Sequence, residues 1–237
     1  MNGFGQGAVL LGGNSVEREV SFRSGNAILT DLLRQGIDAI TFDPKVDELV
    51  DLKKKSIDRV FIVLHRRGDE DVTMQGFLTT LNILFTGSDV SSSAVAMDKS
   101  KTKRIWQSVN LPTAEYQIII QDDFDQRQAK DILAFLACQA IVNPVNEGSR
   151  IGMAKVENAE QLVHALSIAF EFDNKVLSEI HMQTNHTFYD YEAKYQFGDT
   201  QYYCPCGLEQ SVRAELNELS EKAFEVIGCR GWGRIDA

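Results

Sequence analysis

Apolar residues recur along the first third of the chain in two alternating patterns. Short continuous runs, Ala8–Leu11, Ala39–Phe42 and Val60–Leu64, have the length of strands, and the last is apolar on both faces, as a buried parallel strand should be. Between the first two, Ile28/Leu32 and Leu29/Leu33 repeat at four-residue spacing and predict a helix, which Gly36 is placed to end. Strands alternating with helices imply βαβ units and a parallel sheet, hence an α/β fold. Beyond a boundary after Thr86-Gly87-Ser88, a helix is predicted over Lys99–Asn110. Strands at Ile118–Ile120 and Ala140–Val142 flank a helix near Gln126–Ala137. Glu147–Gly152 reads as a glycine-bearing turn between two strands, and Gly231–Asp236 as a further strand. Ala159–Phe170 and Val212–Ile227 read as amphipathic helices, the second with Val212, Leu216, Leu219, Ala223 and Ile227 on one face.

Composition narrows the function classes. The 237 residues are 43% hydrophobic and 24% charged, which excludes a disordered chain. Lys+Arg number 24 against 34 Asp+Glu, and a net charge of −10 argues against nucleic-acid or anionic-membrane partners. No apolar run approaches the roughly 20 residues of a spanning helix, and no secretory signal opens the chain. The spacing of Cys138, Cys204, Cys206 and Cys229 suits neither a zinc site nor a redox pair, so they read as reduced thiols of a cytoplasmic protein. The cluster Lys99, Lys101, Lys103 and Arg104 reads as a solvated helix face. Gly3, Gly5 and Gly7 precede the first strand, so they are no dinucleotide fingerprint. Gly12-Gly13-Asn14-Ser15 does follow a strand and open a helix, where its amides could approach an anion.

Several stretches, in order along nearly the whole chain, carry a more specific signal. Leu10-Leu11-Gly12-Gly13-Asn14-Ser15-Val16-Glu17-Arg18-Glu19-Val20-Ser21 resembles the N-terminal motif of the D-alanine–D-alanine ligases. Phe61–His65, Gln75-Gly76, Phe85–Ser88, Met97–Lys99, Glu147–Ser149, Thr187–Tyr195 and Gly231–Asp236 follow in the family's order. The resemblance implies an N-terminal parallel α/β domain (1–88), a central ATP-grasp subdomain (89–179) and a partial C-terminal ATP-grasp domain with the lid loop (180–237). It implies that ATP phosphorylates one D-alanine carboxylate and that the amine of a second D-alanine attacks the acyl phosphate. That reaction supplies peptidoglycan synthesis in the bacterial cytoplasm, and family members are commonly homodimers that use Mg2+, with Mn2+ as a substitute. Glu17 matches the acceptor for a substrate ammonium, with Ser149 and Tyr195 linking it to the lid loop. His65 matches a substrate-binding residue at a strand end. Lys99 and Lys194 match lysines on the ATP phosphates, and Glu179 the acid at the adenine hinge. Arg234 matches the cation on the tetrahedral intermediate, and Asp236 a magnesium ligand. The Lys194-Tyr195 pair favours dipeptide over depsipeptide formation.

The sequence also departs from the family's pattern. Asn143 stands where the family carries a phosphate-binding lysine. Arg66, Asp69 and Val72 stand where it has glycines, so any of these positions needing positive φ is strained by roughly 1–2 kcal/mol. Only Ile180–Thr187 remain of a longer stretch between Glu179 and Phe188, and the family continues beyond Ala237 with further strands and metal ligands. The expected fold is therefore an incomplete ATP-grasp fold. The alternative to an active ligase is a non-catalytic or fragmentary remnant that keeps at most ligand binding or dimerisation.

Overall fold

The structure is a computed structural model and describes residues 3–15, 17–64, 72–136, 139–147, 151–180 and 207–235. The chain forms two compact units, Met1–Ala96 with Ile227–Asp236, and Met97–Val226.

In the first unit, β1 (Gly7–Leu10), β2 (Ala39–Phe42), β3 (Arg59–Ile62) and β4 (Leu84–Phe85) form a parallel sheet in the order β2-β1-β3-β4. The connections carry α1 (Arg18–Arg34), α2 (Asp51–Lys54) and α3 (Thr73–Thr80), and α4 (Val90–Met97) follows the last strand. Successive strand residues point to opposite faces. Ala8 and Leu10 therefore join Phe42, Leu52, Val60 and Leu78 in one core, while Val9 and Leu11 meet Phe22, Ile28 and Leu29 of α1 in another. Gly25 lets α1 approach, since a Cβ there would lie 2.7 Å from Leu11. Gly36, at φ +77°, ends the helix as expected, with Ile37 N–H donating to the Leu32 carbonyl.

Two local expectations are corrected or sharpened. The described part of Gly231–Asp236 is not a strand. Its neighbourhood is held by side chains instead. Ser88 Oγ accepts from Arg230 N–H (3.0 Å), Ser92 Oγ donates to the Gly228 carbonyl (2.8 Å), and Trp232 stacks on Phe61 at 5.4 Å between centroids. Val72, at the N-terminal end of α3, has φ +71°. A β-branched residue in the left-handed region is strained, and this is one of the positions where the family carries glycine. Val72→Gly is expected to stabilise the chain by about 1 kcal/mol net of the added unfolded-state entropy, read as a higher urea midpoint at unchanged slope. An unchanged or lower midpoint would contradict the strain.

In the second unit, β5 (Tyr116–Ile120), β6 (Ala140–Pro144), β7 (Ala154–Val156) and β8 (Lys175–Ile180) form an antiparallel sheet in the order β5-β8-β6-β7. One face carries Ala140, Val142 and Val176, which pack with Ile132 and Leu133 of α6 (Ala129–Phe135) and Leu162 and Leu166 of α7 (Ala159–Ala169). On α8 (Gln210–Val226) only Ala223 is buried among the described residues, and its carbonyl accepts from Trp106 Nε1 (3.0 Å) of α5 (Lys99–Ser108). The expected apolar face of α8 is thus only partly covered by described residues: Leu216 and Leu219 are half-buried and Val212 is exposed.

Candidate functional site

The turn after β1 is built by two consecutive glycines, Gly12 (φ +83°) and Gly13 (φ +69°). Their amides do not face an open anion site, contrary to the expectation from sequence. Gly12 N–H donates to Ser21 Oγ (2.9 Å), and Gly13 N–H to Asp43 Oδ1 (3.0 Å). Asp43 is also paired through both oxygens with the Arg18 guanidinium, which lies over the Phe22 ring and donates to the Gly13 carbonyl (2.6 Å). Burial works to raise the Asp43 pKa, but the guanidinium and the amides of Lys45 and Gly13 outweigh it and hold it below the ordinary carboxylate value. Glu17 follows this turn at the start of α1 and is buried, 7% exposed. Arg234 belongs to the same unit and is exposed.

The second unit gathers Lys99, Lys103, Asn143 and Glu179. Asn143 pairs with Leu177, and Ile141 with Glu179, so Asn143 and Glu179 project from the sheet face opposite α6 and α7. The Lys103 side chain is only 12% exposed, and its Nζ sits 2.8 Å from Glu179 Oε2. Lys99 Nζ donates to the carbonyls of Pro144 (2.9 Å), Val145 (3.2 Å) and Glu147 (2.5 Å). An ammonium has three N–H donors, so these carbonyls use its full capacity. Burial lowers the Lys99 pKa, and the nearby carboxylates of Asp173, Glu147, Glu179 and Asp98 only partly offset that. Within the basic cluster, therefore, Lys101 is solvent-facing, whereas Lys99 and Lys103 are structural cations. Sequence could not reveal this, because the carbonyls that receive Lys99 lie 45 to 48 residues away, and Lys103, which also donates to Thr113 Oγ1 (2.9 Å), finds its carboxylate on a distant strand.

Two buried carboxylates brace this corner. Asp173 Oδ2 accepts from the backbone (2.8 Å) and side chain (2.9 Å) of Asn146. Asp98 caps α5, accepting from Lys101 N–H (2.9 Å) and Ser100 Oγ (2.6 Å), and Lys175 Nζ lies 3.7 Å away. Burial acts to raise the Asp98 pKa. The Ser100 hydroxyl, the Lys101 amide and ammonium, and the charge of Lys175 outweigh it and hold the carboxyl at about 2. A depressed folded-state pKa contributes stability above the unfolded value near 4, and that stability is lost as pH falls through about 2. Wild type is thus expected to lose on the order of 1 kcal/mol between pH 4 and 2 that Asp98→Asn does not lose, after allowing for solvent screening. Parallel acid-unfolding slopes for the two chains would contradict this.

Of the residues singled out from sequence, Glu17 and Arg234 stand in the first unit, and Lys99 and Glu179 are brought together in the second. His65, Ser149, Lys194, Tyr195 and Asp236 lie outside the described residues. Sequence reasoning missed Ser21, Asp43, Asp98 and Asp173. The N-cap position of Asp98 before a helical run was the one available signal.

This fold is shared with solved ligases of the ATP-grasp class. The D-alanine–D-alanine ligase from Bacillus anthracis matches at TM-score 0.80 and 26% identity, covering 94% of this chain and 79% of that one. The VanG D-Ala:D-Ser ligase from Enterococcus faecalis matches at TM-score 0.79 and 22% identity, a likeness of fold alone, over 94% of this chain and 83% of that one. The family model for the D-ala D-ala ligase C-terminus matches residues 105–185 and 178–237. The D-alanine–D-alanine ligase of Idiomarina loihiensis is 46% identical over 255 residues, covering 99% of this chain and 82% of the relative. That of Pseudoalteromonas atlantica is 45% identical over 253 residues, covering 98% and 80%. The chain belongs to the D-alanine–D-alanine ligase family. An alignment of 255 positions exceeds the 237 residues of the chain, so the Idiomarina relative carries internal residues without counterparts here. The two pieces of the family match overlap over residues 178–185, most of which fall within the Ile180–Thr187 stretch read from sequence as shortened.

Proposed function

We propose that the chain performs its family's reaction, the ATP-dependent joining of two D-alanines through an acyl phosphate for peptidoglycan synthesis. The observation that carries this reading is the 46% identity to a D-alanine–D-alanine ligase across 99% of the chain. The first unit supports it by placing the buried Glu17 at the rim of a glycine turn whose amides are already engaged. With the Gly12 and Gly13 amides engaged, a buried carboxylate beside the turn favours the ammonium end of an amino acid over its carboxylate. In this reading Ser149, Tyr195 and His65 complete the D-alanine site and Arg234 holds the developing oxyanion.

ATP supplies the phosphoryl group that activates the carboxylate. The described residues fit its two ends unequally. Glu179 and Lys103 offer a fixed acid and cation at the hinge end. At the phosphate end Asn143 is neutral and Lys99 is committed to three carbonyls, so the described residues do not fit the triphosphate; Lys194 belongs to the proposal alone. Mg2+ stands likewise. Among the described residues no group of three or more His, Cys, Asp or Glu side chains could hold a metal ion. No described helix is long and apolar enough to cross a membrane, and a cytoplasmic homodimer with divisions near 88 and 179 belongs to the same proposal.

The phosphate-end misfit favours one second reading, a remnant that binds without turning over. A coupled ADP-release assay with Mg2+ and D-alanine separates the two. The ligase reading expects D-alanine-dependent release about a hundredfold below an active relative, the cost of one missing transition-state cation. No D-alanine-dependent release, in wild type or in Asn143→Lys, establishes the remnant.

A further inference from the structure

The Gly12-Gly13 turn is held from beneath by two side chains to which the reaction assigns no part. Ser21 Oγ accepts from Gly12 N–H (2.9 Å) and donates to the Val63 carbonyl (2.5 Å). A hydroxyl has one proton, and here it is spent joining the end of β1 to the exit of β3, two residues before His65. Ser21 N–H also donates to the Glu17 carbonyl (3.0 Å), closing the first turn of α1 on Glu17 itself. Asp43, at the exit of β2, accepts from Gly13 N–H and binds Arg18, the residue after Glu17. A Cβ at Gly12 would lie 2.7 Å from Asp43 Oδ1 and 2.9 Å from Arg18 Nη1, so the turn is seated on this pair with no slack. Three strand exits and the helix start thus converge on two side chains, both buried: Ser21 at 0% and Asp43 at 8% exposure.

We infer that Asp43 and Ser21 are positioning residues of the D-alanine ammonium subsite, fixing Glu17 and closing the turn's amides to anions; the inference rests on the ligase reading above. Their effect is confined to the first unit. Lys99 and Glu179, the described residues assigned to the nucleotide, belong to the second unit. The two ligands therefore report separately on a positioning role and on general loosening of the chain.

Calorimetric titration of D-alanine into the full chain, beside a non-hydrolysable ATP analogue, makes that separation. Asp43→Asn keeps the shape and an acceptor for Gly13 but loses the charge that holds Arg18; Ser21→Ala removes the hydroxyl. Each is expected to weaken D-alanine binding by at least about tenfold, the scale of a displaced binding group, with the nucleotide affinity unchanged. Asp31→Asn, on the exposed side of α1, is expected to change neither affinity. D-alanine affinity retained in both variants overturns the inference and leaves the ligase reading intact. Equal loss of both ligands also overturns it, because that is what a merely structural role would produce. A wild-type chain that binds no D-alanine, and is indistinguishable from Glu17→Gln, overturns the ligase reading and this inference with it.

Discussion

Asn143→Lys is expected to raise both affinity for MgATP and the rate of D-alanine-dependent ADP release, each by about a hundredfold. The register carries the argument. Asn143 lies opposite Leu177 on the sheet face that bears Glu179, and it is partly exposed, so a longer side chain can leave that face without disturbing the helix-covered core. A phosphate contact from a lysine there is worth about 3 kcal/mol, which is about two powers of ten. Gln117→Lys supplies the control. Gln117 pairs with Ser178, so it lies on the other sheet face, and it adds the same charge to a chain of net charge −10. If both substitutions raise affinity alike, net charge and not position is responsible. If neither does, that face does not receive phosphate.

Lys99→Met is expected to lower the unfolding temperature with no nucleotide present. The ammonium holds the carbonyls of Pro144, Val145 and Glu147 together, and a thioether cannot donate to any of them. Losing buried charge-assisted bonds, partly offset by no longer desolvating a cation, costs about 2 kcal/mol, or roughly 4–8 °C in a domain of this size. A lysine reserved for phosphate would behave in the opposite way. Its removal would leave the ligand-free midpoint alone and would cost only nucleotide affinity. Differential scanning calorimetry without nucleotide decides between them.

The parallel half of the fold was legible because its signals are local. Ala39–Phe42 is a strand of those very bounds, and Gly36 caps α1 where the four-residue spacing ends. The G-x-G-x-G run has its origin in packing instead. Gly5 has φ +66°, and a Cβ there would fall 2.1 Å from the Asp58 carboxylate, so packing alone accounts for its middle glycine. What sequence misjudged depends on distant partners. The glycine amides looked available because Ser21 and Asp43 are ordinary residues until folding brings them beneath the turn. The lysine cluster looked solvated because the carbonyls that receive Lys99 sit at the far end of another strand. Gly231–Asp236 has the alternation of a strand, but Ser88 and Ser92 take up the backbone groups just before it. The roles proposed for Glu17, Lys99 and Glu179 come from the family resemblance, since local patterning alone assigns them none.

The hooks from Ser88 and Ser92 onto Gly228 and Arg230 have a consequence for how the chain is made. Ser88 and Arg230 are 142 positions apart. Synthesis at about ten residues per second separates their emergence by more than ten seconds. The sheet of the first unit can assemble during that interval, because all of its strands precede Gly87. Its last covering piece cannot. The Phe61 ring stays without Trp232, and the Ser92 hydroxyl without its acceptor, until Met97–Val226 of the second unit has been translated. A nascent chain held near residue 200 should therefore carry a formed but uncapped sheet, the species most open to chaperones and to wrong partners.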